Sequence, residues 1–553
     1  MPITVNAYAN ADDVLIAWSP NPWAAGWVGF QLERRDERTG QITVIVNRIP
    51  PQPGQGPVQP TGVPSSQSPI RRCIWTDHSV ASTRSVSYRV TAMNAAGAGF
   101  ALDLNAVSAW TTPVVASGDA GDGLSAFFNR GTLMSQIVSR FVGGDVSPAS
   151  LHRFSDNLKN PGFPARRYLS GEARHEILTF LAGADRRGGT IYAAIYEMND
   201  RELIDALKPF GARGHLLLGN GEGTDPGVAV ELTAAGLEVR HRDLSHAGRS
   251  SPSVHNKFVV EASAAGASPR SVLTGSTNWT TTGLCTQLNN VLIVERPAIA
   301  ARYFDQWQKL VAAGDDMPAA LKTSNTTPFT DDPVEVFFAA TNGEAEFQPV
   351  LELIGNATQG ALFAMFMPGQ SPLLGALLDR ARENQIYVRG VVSRVTPSAT
   401  GDIVRFGGEV VKSGSTPASF HRDVLLPDNI SDADKPSWAE AEFSAGEMLD
   451  AHMIAIVHSK AIVLDPFSDD CVVVTGSHNF SPAASSKNDE NLVIIRGNKR
   501  LAQAYALHLN GVYDHYSWRS FLANGGNPDT IYKPLDGWKP GGSRAGELAF
   551  WMS

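Results

Sequence analysis

The sequence predicts a chain of several domains: a β-sandwich at the N-terminus, then a larger α/β region built of two similar units. Three observations predict it. At 553 residues the chain is longer than one hydrophobic core organises. Its first ~110 residues alternate apolar and polar positions with the period of strands. And two segments about two hundred positions apart match each other. The first is V-H-N-K-F-V-V-E, with His255 and Lys257, followed by T-G-S-T-N-W-T from Thr274 to Thr280. The second is V-H-S-K-A-I-V-L-D, with His458, Lys460 and Asp465, followed by T-G-S-H-N-F-S from Thr475 to Ser481. Ser276 and Ser477 follow their lysines by 19 and 17 residues.

In the N-terminal region Val14, Ile16 and Trp18 share one strand face, and Gly29 to Arg34 and Ile42 to Val46 read as further strands. Val86, Tyr88, Val90 and Ala92 alternate with polar neighbours before the turn-like Asn94 to Gly97. This order resembles a fibronectin type III domain, and by that resemblance Tyr88 is the corner tyrosine and Trp18 a core residue. Such a module is a spacer or adhesion unit rather than the seat of chemistry. Pro50 to Pro69 reads as a long loop within it, and the Gly/Ala/Asp-rich Thr112 to Gly123 as a linker. The expected domains are residues 1–115, 116–330 and 331–553.

The rest alternates strands and helices. The first unit is expected to run helix Gly171 to Ala184, strand Ile191 to Tyr196, helix Asp200 to Phe210, strand His215 to Leu218 and the His255 strand. The second runs helix Glu344 to Ile354, strand Leu362 to Met367, helix Pro372 to Glu383, strand Ile386 to Val392 and the His458 strand. Each closes on a helix with aromatics, Ala298 to Val311 and Arg500 to Tyr513. Two such units bring their histidine strands together across a pseudo-twofold axis. The second carries about 32 extra residues within Thr396 to Ala451, a candidate lid.

Composition narrows the function. The net charge of −9 argues against a generally basic surface that tracks nucleic acid. Cys73, Cys285 and Cys471 are scattered, with no disulfide framework or structural zinc pattern. No stretch reaches the ~20 apolar residues of a membrane span, and the start lacks the regions of a secretory signal. The expectation is a chain without a leader, cytoplasmic by default, with leaderless export left open.

On a strand, positions i and i+2 face one side, so His255 projects with Lys257 and His458 with Lys460. The apolar neighbours Val254, Phe258 and Val260, or Val457, Ala461 and Val463, suit buried central strands. A His and a Lys held together there call for a partner anion. The motif H-x-K-x(4)-D with a trailing G-S-x-N resembles that of the phospholipase D superfamily, over roughly Gly123 to Ser553. The resemblance implies a two-step phosphodiester transfer without metal or cofactor. One histidine attacks phosphorus to form a phosphohistidine, and the other protonates the leaving oxygen and then activates water or an alcohol. Lys257, Lys460, Asn278 and Asn479 hold the non-bridging oxygens, and Ser276 and Ser477 stand behind them or donate to phosphate. Asp465 completes the second motif, and by the resemblance it is counted, with His255, Lys257, His458, Lys460 and Glu490, among the catalytic residues.

The first motif departs from the pattern. Ala262 stands where the second has Asp465, with Glu261 one position earlier. On the next strand Asn289-Asn290 matches Glu490-Asn491. With Glu490 paired to His458 and Asn289 orienting His255, the carboxylate stabilises an imidazolium at His458. This predicts His255 as nucleophile and His458 as general acid and base. The lost acid also resembles tyrosyl-DNA phosphodiesterases.

H-R-D occurs at His241 to Asp243 and at His421 to Asp423, at different distances from the catalytic histidines, and reads as coincidence. G-N-G-E-G from Gly219 to Gly223 reads as a β–α turn rather than a phosphate loop. Trp279 and Phe480 are expected at the interface between the units. The leading function is hydrolysis or transfer of a phospholipid head group by a monomer acting at a bilayer surface or micelle. The alternatives are a phosphodiesterase of nucleic acid and a non-catalytic binding protein, against which the four retained His and Lys residues argue.

Overall fold

The computed structural model describes residues 2–47, 49, 62–130, 148–246, 252–264, 268–392, 402–404, 410–412, 424–425, 457–523 and 535–553. The candidate lid from Thr396 to Ala451 lies almost wholly outside the described residues. So do most of the Pro50 to Pro69 loop and the second H-R-D.

The N-terminal region is a sandwich. One sheet orders Ile3–Ala9, Val14–Pro20 and Ile74–Asp77; the other orders Val114–Val115, Ser85–Ala96, Trp27–Asp36 and Ile42–Val44, with Gly99–Val107 also paired to Ser85–Ala96. Trp18 and Tyr88 are fully buried between the sheets. The Tyr88 hydroxyl donates to the Asp77 carboxylate at 3.0 Å.

The expected linker is not one. Within Thr112 to Gly123, Val114–Val115 pairs with Ser85 and Val86 of the sandwich. Asp119–Gly121 pairs with Leu124 and Ser125 at the edge of the next sheet. A composition rich in small residues reads as linker, but the backbone groups of these short stretches have ladder partners.

Two eight-stranded mixed sheets follow, with the same strand order. The first runs Asp119–Gly121, Leu124–Phe128, Asn290–Val294, Pro269–Gly275, Lys257–Ala262, Thr190–Ile195, Gly214–Leu218, Glu238–His241. The second runs Phe329–Asp331, Val334–Ala339, Glu490–Arg496, Val472–Gly476, Ala461–Leu464, Gly360–Met365, Tyr387–Val392, Val424–Leu425. Their central strands are buried at every position, which is why they read as unbroken apolar runs.

The helices Pro297–Ala313 and Lys499–Ala523 lie between the sheets. The inward faces of both sheets, these helices and the sandwich share one core, in which Phe258, Tyr303 and Phe338 stack edge to face. Each sheet has a separate apolar cluster on its outer face, under helices such as Pro164–Arg186 and Pro372–Glu383. Trp279 and Phe480 belong to these outer clusters, not to the interface where they were expected.

Candidate active site

The two His-x-Lys segments meet at the seam between the sheets. His255 precedes its strand, which begins at Lys257, and His458 and Lys460 precede the strand Ala461–Leu464. The expected strand alternation is therefore replaced by a short extended approach with the same outcome. Lys257 Nζ donates to His255 O at 2.8 Å and Lys460 Nζ to His458 O at 2.6 Å. The imidazole centroids lie 6.5 Å apart, and all four side chains are buried. Aromatic rings at matching strand ends support each pair. Tyr196 lies 4.7 Å from the His255 ring and 4.8 Å from Lys257 Nζ. Phe366 lies 4.6 Å from the His458 ring and 4.9 Å from Lys460 Nζ.

The residues behind the rings are exchanged between the units. Glu490 Oε1 sits 3.3 Å from His255 Nδ1, and Asn289 Oδ1 sits 2.8 Å from His458 Nδ1. The expected pairing of Glu490 with His458 and of Asn289 with His255 is thus corrected. The reason is the sheet order. The Glu490 strand lies two strands from the Lys460 segment in its own sheet, about 10 Å at ~4.8 Å per strand. Across the seam it is adjacent: Asp489 N donates to Ser253 O at 3.0 Å, and His458 N to Leu288 O at 2.9 Å.

Each orienting residue is itself fixed. Asn289 Nδ2 donates to Gly283 O at 2.8 Å, so Oδ1 faces His458 and the ring proton resides on Nδ1. Ser276 Oγ donates to the same Oδ1 at 2.8 Å. Glu490 accepts from Asn488 Nδ2 at 2.9 Å and from the Asn479 backbone at 3.0 Å. Ser477 Oγ accepts from the Asn491 backbone at 3.0 Å. Both serines therefore stand behind the site. Asn278 and Asn479 each leave Oδ1 without a partner.

Asp465 is not in the site. It follows the strand Ala461–Leu464, five residues and about 16 Å from Lys460 at ~3.3 Å per residue. Its carboxylate accepts the backbone N–H groups of Thr358, Gln359 and Gly360 at 2.7–2.9 Å, and the Thr358 hydroxyl at 3.1 Å. It caps a turn, and the expected catalytic part is corrected to a structural one. In the first unit Glu261, next to Ala262, is instead held by Arg187 at 2.7 and 2.8 Å.

Electrostatically the site is built for an anion. Burial, with Lys257 adding to it, lowers His255 to about 4, so the ring is neutral near pH 7. Burial lowers Lys257 to about 7. Burial and the neighbouring lysines hold His458 well below its usual range, and burial does the same to Lys460. Burial works to raise Glu490, but the His255 beside it prevails and the carboxyl falls to about 2. An anion placed among the lysines and histidines would favour the charged forms that desolvation disfavours.

Three features escaped sequence reading. Tyr196 and Phe366 are one; their signal is an aromatic at the same place in I-Y-A-A-I-Y and A-L-F-A-M-F. The second is a reciprocal network across the seam. Asn290 Nδ2 donates to Thr475 Oγ1 at 3.0 Å and Tyr505 OH at 2.9 Å, while Asn491 Oδ1 accepts from Thr274 Oγ1 at 2.9 Å and Tyr303 OH at 3.1 Å. The third is Glu197, whose Oε2 accepts from Asn278 Nδ2 at 2.6 Å. Among the described residues, the group that could offer three ligands to a metal ion is Glu172, His175 and Glu176, which contains none of these residues. Among them, too, no helix is long and apolar enough to cross a membrane.

The family model described as "Cardiolipin synthase, PLD-like domain" matches residues 186–311 and 350–512. No curated protein sequence matches this one. Among solved structures, polyphosphate kinase from Porphyromonas gingivalis is 12% identical over 58% of this chain and 42% of its own, at a TM-score of 0.36. Phosphatidylserine synthase of Haemophilus influenzae is 12% identical over 69% of this chain and 94% of its own, at 0.42. The phospholipase D family member Nuc from Salmonella typhimurium is 21% identical over 34% of this chain and 96% of its own, at 0.20.

Proposed function

The chain belongs to the family of cardiolipin synthase, PLD-like domains, and from that premise we propose that it is a phospholipase D-type enzyme that cleaves or transfers the head group of a phospholipid. The observation that carries this reading is the meeting of two buried His–Lys pairs with ring centroids 6.5 Å apart, the Nδ1 of each ring facing a residue of the other unit.

In the first step His255 Nε2 attacks phosphorus, the bond to the leaving oxygen breaks, and His458 Nε2 gives that oxygen a proton. In the second, His458 takes a proton from water or an alcohol, whose oxygen attacks phosphorus and displaces His255. The crossed partners support these roles by a different argument from the one the sequence suggested. Positive charge appears on the attacking imidazole and persists in the phosphohistidine, so the carboxylate belongs behind the nucleophile, where Glu490 is. Positive charge vanishes from the acid as it donates, and a neutral amide such as Asn289 does not hold the proton back. Lys257, Lys460, Asn278 and Asn479 take the non-bridging oxygens, and the two lysines supply the charge that a metal otherwise brings.

We read residues 116–330 and 331–553 as pseudo-twofold repeats and residues 1–115 as a fibronectin type III-like module. The synthase in the family's description favours transfer to an alcohol as the second fate of the same intermediate. The test offers phosphatidylcholine, phosphatidylethanolamine, phosphatidylglycerol, bis(4-nitrophenyl) phosphate and single-stranded DNA, with and without glycerol and EDTA. Head-group release or exchange that survives EDTA and is lost in His255→Ala is expected. Activity on DNA alone, or strict EDTA sensitivity, would overturn the reading.

A further inference from the structure

Glu197 lies two residues past Ile195, the residue registered opposite Lys257. Its carboxylate accepts from the phosphate-site Asn278 at 2.6 Å through Oε2, and from Gly223 N at 3.2 Å through Oε1. The G-N-G-E-G turn is shaped around it. A Cβ on Gly221 would stand 2.3 Å from Glu197 Cγ, and one on Gly223 2.8 Å from Cδ. The glycines thus cradle a carboxylate of the protein rather than a phosphate of the substrate. Among the described residues of the second unit, no carboxylate stands at the matching position. Ala364 is registered opposite Ala461, which places Met365 beside Lys460 and Met367 at the position matching Glu197.

A carboxylate against a phosphate-binding asparagine opposes anion binding, so its presence in one unit needs a reason. The charges give one. Counted with an anion in the site, whose charge favours the protonated lysines and His458, Lys257 and Lys460 bring two positive charges, and Glu490 and Glu197 two negative ones. One proton on His458 then leaves a single positive charge. That matches the one negative charge of a phosphodiester and falls short of a dianionic phosphate. We propose that Glu197 sets the charge the site accepts, admitting a singly charged phosphodiester and rejecting a doubly charged phosphate or phosphomonoester. The inference deepens the phosphodiesterase reading and rests on it. Burial, opposed by Lys257, raises the Glu197 carboxyl above its usual range.

Calorimetry at pH 8 with two small anions tests it, inorganic phosphate as the dianion and dimethyl phosphate as the monoanion, on the full chain and on Glu197→Gln, Glu197→Asp and Met367→Glu. In Glu197→Gln the ratio of phosphate to dimethyl phosphate affinity is expected to rise about tenfold, from the loss of one nearby unit charge. Glu197→Asp keeps the wild-type ratio, and Met367→Glu lowers it. Glutamine keeps an acceptor for Asn278, so a purely positional role predicts no change in the ratio. A rise of less than about threefold in Glu197→Gln, or no binding of either anion to any form, overturns the proposal. If Glu197→Gln does not fold, an unchanged ratio in Met367→Glu overturns it. Failure of the wild type to turn over any diester would instead refute the enzyme reading and leave this comparison to stand by itself.

Discussion

At His255 the proposed chemistry turns on the neighbour behind the ring, Glu490 at 3.3 Å. Glu490 carries its charge at all working pH values, since its carboxyl lies near 2. On the proposed mechanism, Glu490→Gln removes the counter-charge of a phosphohistidine at His255 but keeps a hydrogen-bonding group. We expect kcat to fall about 10²–10³-fold, by analogy with the loss of one preorganised electrostatic partner. A quenched phosphoenzyme is expected to map to His255; mapping to His458 would reverse the two roles. Lys257 makes a second prediction. Its depressed value near 7 means that the free site loses a phosphate-binding charge as pH rises through that value. The ratio kcat/KM is therefore expected to decline above about pH 7 with a single ionisation, and the limb to disappear in Lys257→Met. The same substitution removes a buried charge, and Lys257→Met, with the residual activity that the pH profile reads, is expected to be about 1–2 kcal/mol more stable than wild type in a denaturant titration.

Between elements, the legible and the illegible parts of the sequence divide by range. The helix Pro372–Glu383 was readable to the residue because Ser371 caps Leu374 N and Asn384 ends it in the left-handed conformation. The His–Lys pairs were readable because two local motifs repeat. The partners of His255 and His458 were not, because matching Glu490 to Asn289 gives equivalence between units and not proximity. Sheet order alone places each across the seam. Asp465 illustrates the opposite error. It sits in the motif by sequence, but a strand carries it away from the lysine and into a cap for Thr358, Gln359 and Gly360. Asp465→Ala leaves three buried or half-buried N–H groups without an acceptor. It should cost about 2–3 kcal/mol in a urea titration, with kcat within about twofold of wild type. A loss of activity that persists well below the unfolding midpoint would return Asp465 to the catalytic set.

Over the whole molecule, the two units are joined by a fully buried ion pair. Arg242 Nε donates to Asp489 Oδ2 at 2.6 Å and its second amine to Oδ1 at 3.3 Å, and the guanidinium also reaches Gly314 O. Both side chains are at 0% exposure. Arg242 belongs to the H-R-D that sequence reading set aside as coincidence, and Asp489 directly precedes Glu490. The pair therefore ties the end of one sheet to the strand that carries Glu490. Burial pushes the Asp489 carboxyl up, against the pull of Arg242. Arg242→Met leaves an uncompensated carboxylate in the seam and is expected to cost about 3–5 kcal/mol. The double variant Arg242→Met/Asp489→Leu removes both charges and should recover most of that loss. The two quantities then separate stability from chemistry. If the pair serves only to join the units, the double variant regains kcat along with its unfolding midpoint. If it also aims Glu490 at His255, the midpoint returns while kcat stays about tenfold down, because misplacement of a charge-stabilising group costs rate without costing fold.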